Sequence, residues 1–534
     1  MVRFSLTISV LLVAIFTRTF SVGSYPVSLT IDEADHAYNA YSLLHTGRDE
    51  WGIALPLIFK TIGDYTPPTV IYSMVPSIAI FGNTELAARL PLAVIGSLAI
   101  FVWYYILRHL HFSSPASLLA ALWLAVLPWH IHMSRYGHEA IAASTFLLLG
   151  LAFFLKSLRR SSFLDFSWCL TFFSLSVWSY FDRLFSPLLF IVLLWLSRDR
   201  LKFLFSHPKK LLLSTLPLFI FAIPFFYLLF TTPAITTRAA ATSILRDPGL
   251  SPYLHRGSYT SLTQKIFDHD LYRIFHHWAA KYLNYFDLRF WFWKAQGLTL
   301  PGYPDIGLMY LTDLPVFIAG VFALLLFRGR FLRHLILFWF FAGPLAASFT
   351  MNEQHVQRSL VWLPFFGLVI ASGFQFLYPR FRKLLPIGYL AISAISLAIF
   401  ADIYFVHFPR FYSEYWQYGY KQAAQYACQN KDRYDNILIS ETFGSLGPLI
   451  TGIPYAYVLY YCPPDPREFY LTRQIPKFIF RRVDWKQDSK RAKALLISAP
   501  WDYVGFDIPY SKVVHQVDFL NGQPGFLFVD TSLP

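Results

Sequence analysis

The sequence predicts a mostly α-helical membrane bundle of about 11 spans, with amphipathic helices in its first outer loop and a small C-terminal α/β domain outside. Three observations predict it. The chain of 534 residues is 55% hydrophobic and 19% aromatic but only 14% charged, where a soluble protein carries roughly a quarter charged residues. Its apolar residues gather in segments near the roughly 20 residues a helix needs to span the hydrocarbon core. The Lys and Arg residues behind a net charge of +14 sit in alternate short loops and form no long basic tract. That arrangement orients a chain in a bilayer and argues against nucleic acid as a partner.

Eleven segments can be marked, at about 4–22, 88–108, 115–132, 140–158, 163–181, 184–197, 211–230, 309–327, 334–350, 359–378 and 384–406. Arg18 interrupts the first and no small-residue cleavage site stands out, so it reads as a retained anchor. Alternate loops hold Arg108; Lys156, Arg159 and Arg160; Arg198, Arg200, Lys202, Lys209 and Lys210; Arg328, Arg330 and Arg333; and Arg380, Arg382 and Lys383. These loops are assigned to the cytoplasm by the positive-inside rule. The first outer loop (25–87), the loop 231–307 and everything after about 407 then lie outside. The expected organisation is a plasma-membrane unit over 1–410 followed by an extracytoplasmic α/β domain over 411–534.

The first outer loop carries Asp32, Glu33, Asp35, Asp49, Glu50, Asp64 and Glu85 among prolines, glycines and aromatics. Thr30-Ile31-Asp32-Glu33 fits a capping box in which Thr30 caps a helix and Glu33 reaches back. Ala34, Ala37, Tyr38, Tyr41 and Leu44 follow at helical spacing, and Gly47 stands where a C′ glycine ends such a helix. Asp32 falls in the first turn, where the helix dipole favours a carboxylate. Locally, both acids can be no more than helix-start residues; a catalytic role depends on their surroundings.

The other outer loops are short and sparse in charge, so the charges they keep are informative. They read Ser134-Arg135-Tyr136-Gly137-His138-Glu139, Tyr180-Phe181-Asp182-Arg183, and Asn352-Glu353-Gln354-His355-Val356-Gln357-Arg358. Ionisable groups at mid-membrane cost about 2.5–3.5 kcal/mol on insertion scales, so they face a cavity or a partner. Structural pairs such as Asp182–Arg183 or Arg135–Glu139 would satisfy this, as would a shared anionic pocket. The loop 231–307 is rich in aromatics and suits interfacial helices. Its Asp268-His269-Asp270 is similar to the metal-binding DxD of soluble glycosyltransferases, but nucleotide sugars are cytoplasmic and this loop is assigned outside. After about 407 the pattern gives an amphipathic helix at 413–430 and strands at 437–440, 495–498, 513–519 and 526–529, with a turn signal at Asn521-Gly522. Of three cysteines, Cys428 and Cys462 fall in this domain and could pair; none shows metal-ligand spacing.

With these residues placed, the chain resembles the lipid-phosphate-sugar-dependent glycosyltransferases of the GT-C type. It is most similar to the group containing the protein O-mannosyltransferases and the bacterial aminoarabinose transferase of lipid A. The matching pieces are Leu29-Thr30-Ile31-Asp32-Glu33-Ala34, Gly63-Asp64-Tyr65-Thr66-Pro67-Pro68, and Phe81-Gly82-Asn83-Thr84-Glu85-Leu86-Ala87-Ala88-Arg89-Leu90-Pro91. Ser134-Arg135 with Glu139, and His355 with Arg358 before Leu363-Pro364, look similar to later signatures. The resemblance covers roughly residues 20–375. It implies that Asp32 is the catalytic acid of the first outer loop and that the donor is a polyprenyl-phosphate-linked sugar. Members often carry a lysine just before Pro-Pro, where this chain has Thr66, and that shifts the donor phosphate toward the arginines.

The expected catalytic residues are Asp32 and Glu33, with Asp32 as general base. Arg358, Arg135, Arg183 and His355 are the candidates for the donor phosphate, and Asp64, Tyr65, Arg89, Glu139, Tyr180 and Asp182 are supporting residues. Some members of the group use a divalent metal and others none, so no cofactor is assigned and a divalent metal stays open. The acceptor stays open among protein, lipid and glycan. Displacement by a single base inverts the anomeric carbon. A transporter or lipid flippase would also place charges in the membrane, but it often shows internal repeats, and none is visible here.

Overall fold

The computed structural model describes residues 2–180, 185–233, 236–254, 261–267, 269–295, 303–326, 329–445, 447, 450–506 and 508–533. The N-terminal part runs α1 (Val2–Thr19), α2 (Ile31–Thr46), β1 (Phe59–Thr61), β2 (Asp64–Thr66), α3 (Pro68–Phe81), α4 (Glu85–His109), α5 (Ser114–Val126), α6 (Pro128–Arg135), α7 (Ala140–Arg160), α8 (Phe163–Val177), α9 (Phe185–Leu196) and α10 (Pro208–Thr231). Apolar helices at Leu314–Leu326, Arg330–Ala342, Leu363–Leu377 and Leu384–Asp402 complete the bundle.

Each of the 11 apolar segments is helical, but their lengths differ from the expectation. Among the described residues six helices are long and apolar enough to cross a membrane, or seven if the bent pair α5–α6 counts as one span. The others are shorter; α9 has 12 residues, a rise of about 18 Å against a core of about 30 Å. The protein is an integral membrane protein. On α10 no apolar side chain is buried and many face outward, as lipid would require: Leu213 is 69% and Phe230 82% exposed.

The bend of 53° between α5 and α6 follows from Pro128. A residue before proline is driven out of the α region, and Leu127 is extended with ψ 120°. The break frees carbonyls at the end of α5, and Arg18 of α1 takes them: its guanidinium donates to the carbonyls of Leu124 at 3.0 Å and Ala125 at 2.9 Å. Arg135 of α6 returns the favour to α1. It donates to the carbonyls of Thr17 at 3.2 Å, Phe20 at 2.7 Å, Ser21 at 3.3 Å and Tyr25 at 3.1 Å. Two fully buried arginines thus satisfy helix ends that would otherwise be unpaired.

The C-terminal part is a mixed five-stranded sheet in the order β6-β3-β7-β9-β8, built from β3 (Asn436–Ile439), β6 (Phe478–Phe480), β7 (Ala494–Ser498), β8 (Val513–Asp518) and β9 (Pro524–Asp530). The first three strands are parallel, and β8 and β9 form an antiparallel hairpin. A separate two-stranded ladder joins β4 (Thr442–Phe443) to β5 (Ile450–Thr451). The hairpin turn carries Gly522 at φ 83°, inside a longer loop that Phe519 closes by donating to the Gln523 carbonyl at 2.8 Å. β6 is an addition to the strands read from the sequence; only three residues long, it gives little period to detect.

Cys428, at the end of helix Tyr420–Asn430, is disulfide-bonded to Cys462, directly after helix Pro454–Tyr461, with 5.7 Å between their Cα atoms. A link across 34 residues is worth about 3–4 kcal/mol on the chain-entropy estimate. Cys462→Ser, or reduction of the wild type, should lower the unfolding temperature of the C-terminal part in detergent; an unchanged temperature would make the link dispensable.

Candidate active site

The start of α2 has the expected capping box. The Glu33 amide donates to Thr30 Oγ1 at 3.2 Å, and the Thr30 amide donates to Glu33 Oε2 at 2.9 Å. At the other end Gly47 takes φ 68° and donates to the Leu43 carbonyl at 2.8 Å. The two adjacent acids then part company. Asp32 is exposed and has no hydrogen bond or ion pair among the described residues. Glu33 is wholly buried. Arg89 Nε donates to Glu33 Oε1 at 2.6 Å and Arg89 Nη2 to Oε2 at 3.1 Å, and the Gly137 amide donates to Oε1 at 2.9 Å. Gly137 has to be glycine: a Cβ there would lie 2.8 Å from Glu33 Oε1.

Glu33, expected to be catalytic, thus has both carboxylate oxygens engaged by donors. Its carboxylate is filled by donors and ties α2 to α4 and to the turn after α6. Arg89 extends the tie by donating to the carbonyls of Pro26 at 2.6 Å and Ser28.

Arg135, expected at the donor phosphate, is likewise engaged within the fold. Its guanidinium is buried, spent on the four carbonyls at and after the end of α1, and covered by the rings of Tyr404 and Phe405 at 5.4 and 5.3 Å. Arg358 remains in place: it is half-buried and donates to Asn352 Oδ1 at 3.0 Å, and no carboxylate is paired with it among the described residues. His355 lies beside it, its amide donating to the Tyr285 hydroxyl at 3.1 Å. Asp182 and Arg183 fall outside the described residues, as does Asp268. His269 caps helix Asp270–Asn284, so the remainder of Asp268-His269-Asp270 is a helix start.

No hydrogen bond or ion pair among the described residues joins Asp32 to Arg358. Tyr136, buried and pushed up by that burial, then by Asp32 and Glu33, lies 5.3 Å from His138 between ring centroids. His138 lies 5.4 Å from Tyr180 and pairs with Glu139 at 3.4 Å. Tyr180 and Arg358 both bear on Tyr285. The Arg358 loop is held to α6 by Trp129, whose indole donates to the Val356 carbonyl at 2.8 Å.

Asp64 and Tyr65 lie on the β1–β2 hairpin, half-buried. Thr66, in place of the lysine common in the resembling group, points inward; its hydroxyl is 3.1 Å from His36 Nε2 of α2. Among the described residues no three His, Cys, Asp or Glu side chains converge as a metal site.

Asp35 is the residue the motif reading passed over. It lies one turn beyond Asp32, is 3% exposed, and neither carboxyl oxygen has a partner among the described residues. Burial, then Glu50 and Asp32, push it well above the usual carboxylate range, while Arg473 opposes them. Arg473 is itself committed to Glu50, to which it pairs at 3.4 Å, and to the Tyr455 hydroxyl at 2.8 Å.

With this geometry in view, comparison with known proteins decides the fold. Residues 65–227 match the family model for dolichyl-phosphate-mannose-protein mannosyltransferase. ArnT from Cupriavidus metallidurans in the apo state superposes with TM-score 0.53 at 15% identity, covering 98% of this chain and 97% of that one. The same protein bound to undecaprenyl phosphate gives 0.53 at 13% identity over 99% and 97%. The chain has the GT-C glycosyltransferase fold. The archaeal oligosaccharyltransferase AglB from Archaeoglobus fulgidus, in complex with an inhibitory peptide and a dolichol-phosphate, gives 0.51 at 14% identity, over 93% of this chain and 69% of that one. No curated protein sequence matches significantly. These matches agree with the resemblance carried by the sequence motifs.

Asp35 yields a pH prediction. Because burial pushes its folded-state value up, it holds its proton in the fold at pH values where the unfolded chain, above about pH 3.9, has lost it. Stability from this group is therefore complete below that value and falls as pH rises toward the folded-state value, by up to about 1.4 kcal/mol per pH unit. Asp35→Asn should be more stable than the wild type, by a margin that widens as pH rises above about 3.9 in detergent unfolding. A margin independent of pH would mean that Asp35 is ionised in the fold.

Proposed function

We infer that the protein is a glycosyltransferase that moves a sugar from a polyprenyl-phosphate-linked donor to an acceptor hydroxyl outside the cytoplasm, inverting the anomeric carbon. The observation that carries this reading is the division of labour between two adjacent acids in a GT-C fold: Glu33 saturated and buried, Asp32 exposed and unpaired. The donor class is supported by the undecaprenyl phosphate bound to ArnT and the dolichol-phosphate bound to AglB.

In this mechanism Asp32 accepts the proton of the acceptor hydroxyl as that oxygen attacks the anomeric carbon. The bond to the lipid phosphate breaks, and the phosphate leaves as an anion. Arg358 supplies charge-assisted hydrogen bonds to it. Inversion follows from the carboxylate count. A double displacement needs a second carboxylate about 5–5.5 Å from the first in glycosidases. The neighbouring candidates are occupied or sealed: Glu33 by its donors, Asp35 by burial.

Turnover of Asp32→Asn, read as release of polyprenyl phosphate, should fall about 10²–10⁴-fold while the protein stays folded and binds donor. Glu33→Gln should do the reverse: the variant loses stability through the buried Arg89, and its folded fraction keeps the base. Arg358→Ala should weaken donor binding by roughly ten- to a hundredfold, the worth of a hydrogen bond to a charged group. Near-normal turnover in Asp32→Asn would overturn the reading.

About 11 segments cross the membrane in this proposal, the shorter helices included, with the C-terminal domain outside. The Cys428–Cys462 disulfide supports that side, since such bonds persist in oxidising compartments. The remaining cysteine, Cys169, is buried, so introduced thiols give a clean signal. Lys490→Cys should react with an impermeant thiol reagent in intact cells and Ser206→Cys should not; the opposite pattern would invert the topology.

A further inference from the structure

Helix Pro454–Tyr461 belongs to the C-terminal domain, yet four of its side chains end on the first outer loop. The Tyr455 hydroxyl donates to Glu50 Oε2 at 3.3 Å, the Tyr457 hydroxyl lies 2.7 Å from both the Leu29 carbonyl and Gln417 Oε1 and bridges them, Tyr460 donates to the Thr84 carbonyl at 2.9 Å and Tyr461 to Glu85 Oε1 at 2.9 Å. The loop reciprocates through Asn83, whose amide donates to the Tyr460 carbonyl at 2.9 Å, and Lys421 pairs with Glu85 at 2.5 Å. Tyr457, Tyr460 and Tyr461 are spaced i, i+3, i+4 and so share one helix face. That face meets the chain just before α2 and at the start of α4, the two elements that Glu33 and Arg89 join.

Tyr457 holds the most consequential position. Leu29 immediately precedes Thr30, the cap of α2, and Asp32 follows two residues later. Tyr457 is fully buried and its ring stacks on Tyr420 at 5.3 Å; the Tyr420 hydroxyl donates to the Ser440 carbonyl at the end of β3 at 2.9 Å. A continuous line therefore runs from the central sheet through two tyrosines to the residue before the cap. Tyrosine suits such a strut, since it reaches far with only two χ angles to order.

We propose that Tyr457 is a positioning residue for Asp32, which makes the C-terminal domain part of the catalytic unit. The proposal rests on the glycosyltransferase reading above. Without the hydroxyl, the Leu29 carbonyl loses its partner in a buried setting and the start of α2 gains freedom. A base displaced by about 1 Å can cost about 10²-fold in rate.

The test uses the full chain. Tyr457→Phe deletes one oxygen; turnover should fall roughly ten- to a hundredfold while the dissociation constant for the polyprenyl-phosphate sugar stays within about twofold. Tyr434→Phe is the control. It deletes the same oxygen from the same domain, where the Tyr434 hydroxyl donates to Asp530 at 3.1 Å, and it should lower stability without lowering turnover. Hydrogen exchange at the amides of Ala34 and Asp35, in the first turns of α2, is read in parallel and should quicken in Tyr457→Phe alone. Equal turnover and equal exchange in the two variants would overturn the proposal. If the wild type releases no polyprenyl phosphate from any donor, the glycosyltransferase reading fails. The exchange result then still decides whether Tyr457 holds the start of α2.

Discussion

Glu33 places a carboxylate where water does not reach, and a buried charge is tolerated only when donors surround it. Here they come from Arg89, from the Thr30 amide and from the Gly137 amide. Arg89 and Gly137 are distant in the chain, so satisfying one charge brings α2, α4 and the turn after α6 to a single point. Removing one partner of such a pair typically costs 3–5 kcal/mol, because the other is left buried and uncompensated. The arrangement therefore does not yield gradually. It gives the exposed neighbour, Asp32, a rigid base.

The same economy governs the helix ends inside the bundle. A bilayer offers no water for unpaired carbonyls, and the Pro128 break together with the end of α1 exposes several. Arg18 reaches from α1 to the end of α5, Arg135 reaches from α6 to the end of α1, and rings of Tyr404 and Phe405 cover Arg135. Charges that look functional because they lie in the membrane are here answers to a backbone problem. Arg358 differs: among the described residues its side chain has one hydrogen bond, to a neutral amide.

Asp35 runs against this economy. Its carboxyl is buried with no partner among the described residues, and Arg473, the nearest opposing charge, is engaged by Glu50. Proteins tend to keep such locally unfavourable groups at functional sites. Asp35 lies at the seam where α2 meets the helix Pro454–Tyr461, one turn behind Asp32, so its charge state bears on both Asp32 and the domain contact.

The sequence by itself determined the elements whose causes are local. Apolar segments became helices, Thr30 and Glu33 formed their capping box, Gly47 ended α2, and the Cys428–Cys462 pair lay within one domain. The split between Asp32 and Glu33 was not local. A capping box leaves both acids in the first turn, and only the approach of Arg89 and Gly137 turns one into scaffold. Arg135 and Arg358 are equally basic and equally placed at helix ends in the sequence; their difference lies in which carbonyls fold against them. The tyrosines at 455–461 are plain to see in the chain, but their partners at Leu29, Glu50, Thr84 and Glu85 lie hundreds of residues away. Long-range pairing of that kind leaves no period in either segment, so only the tertiary structure decided it.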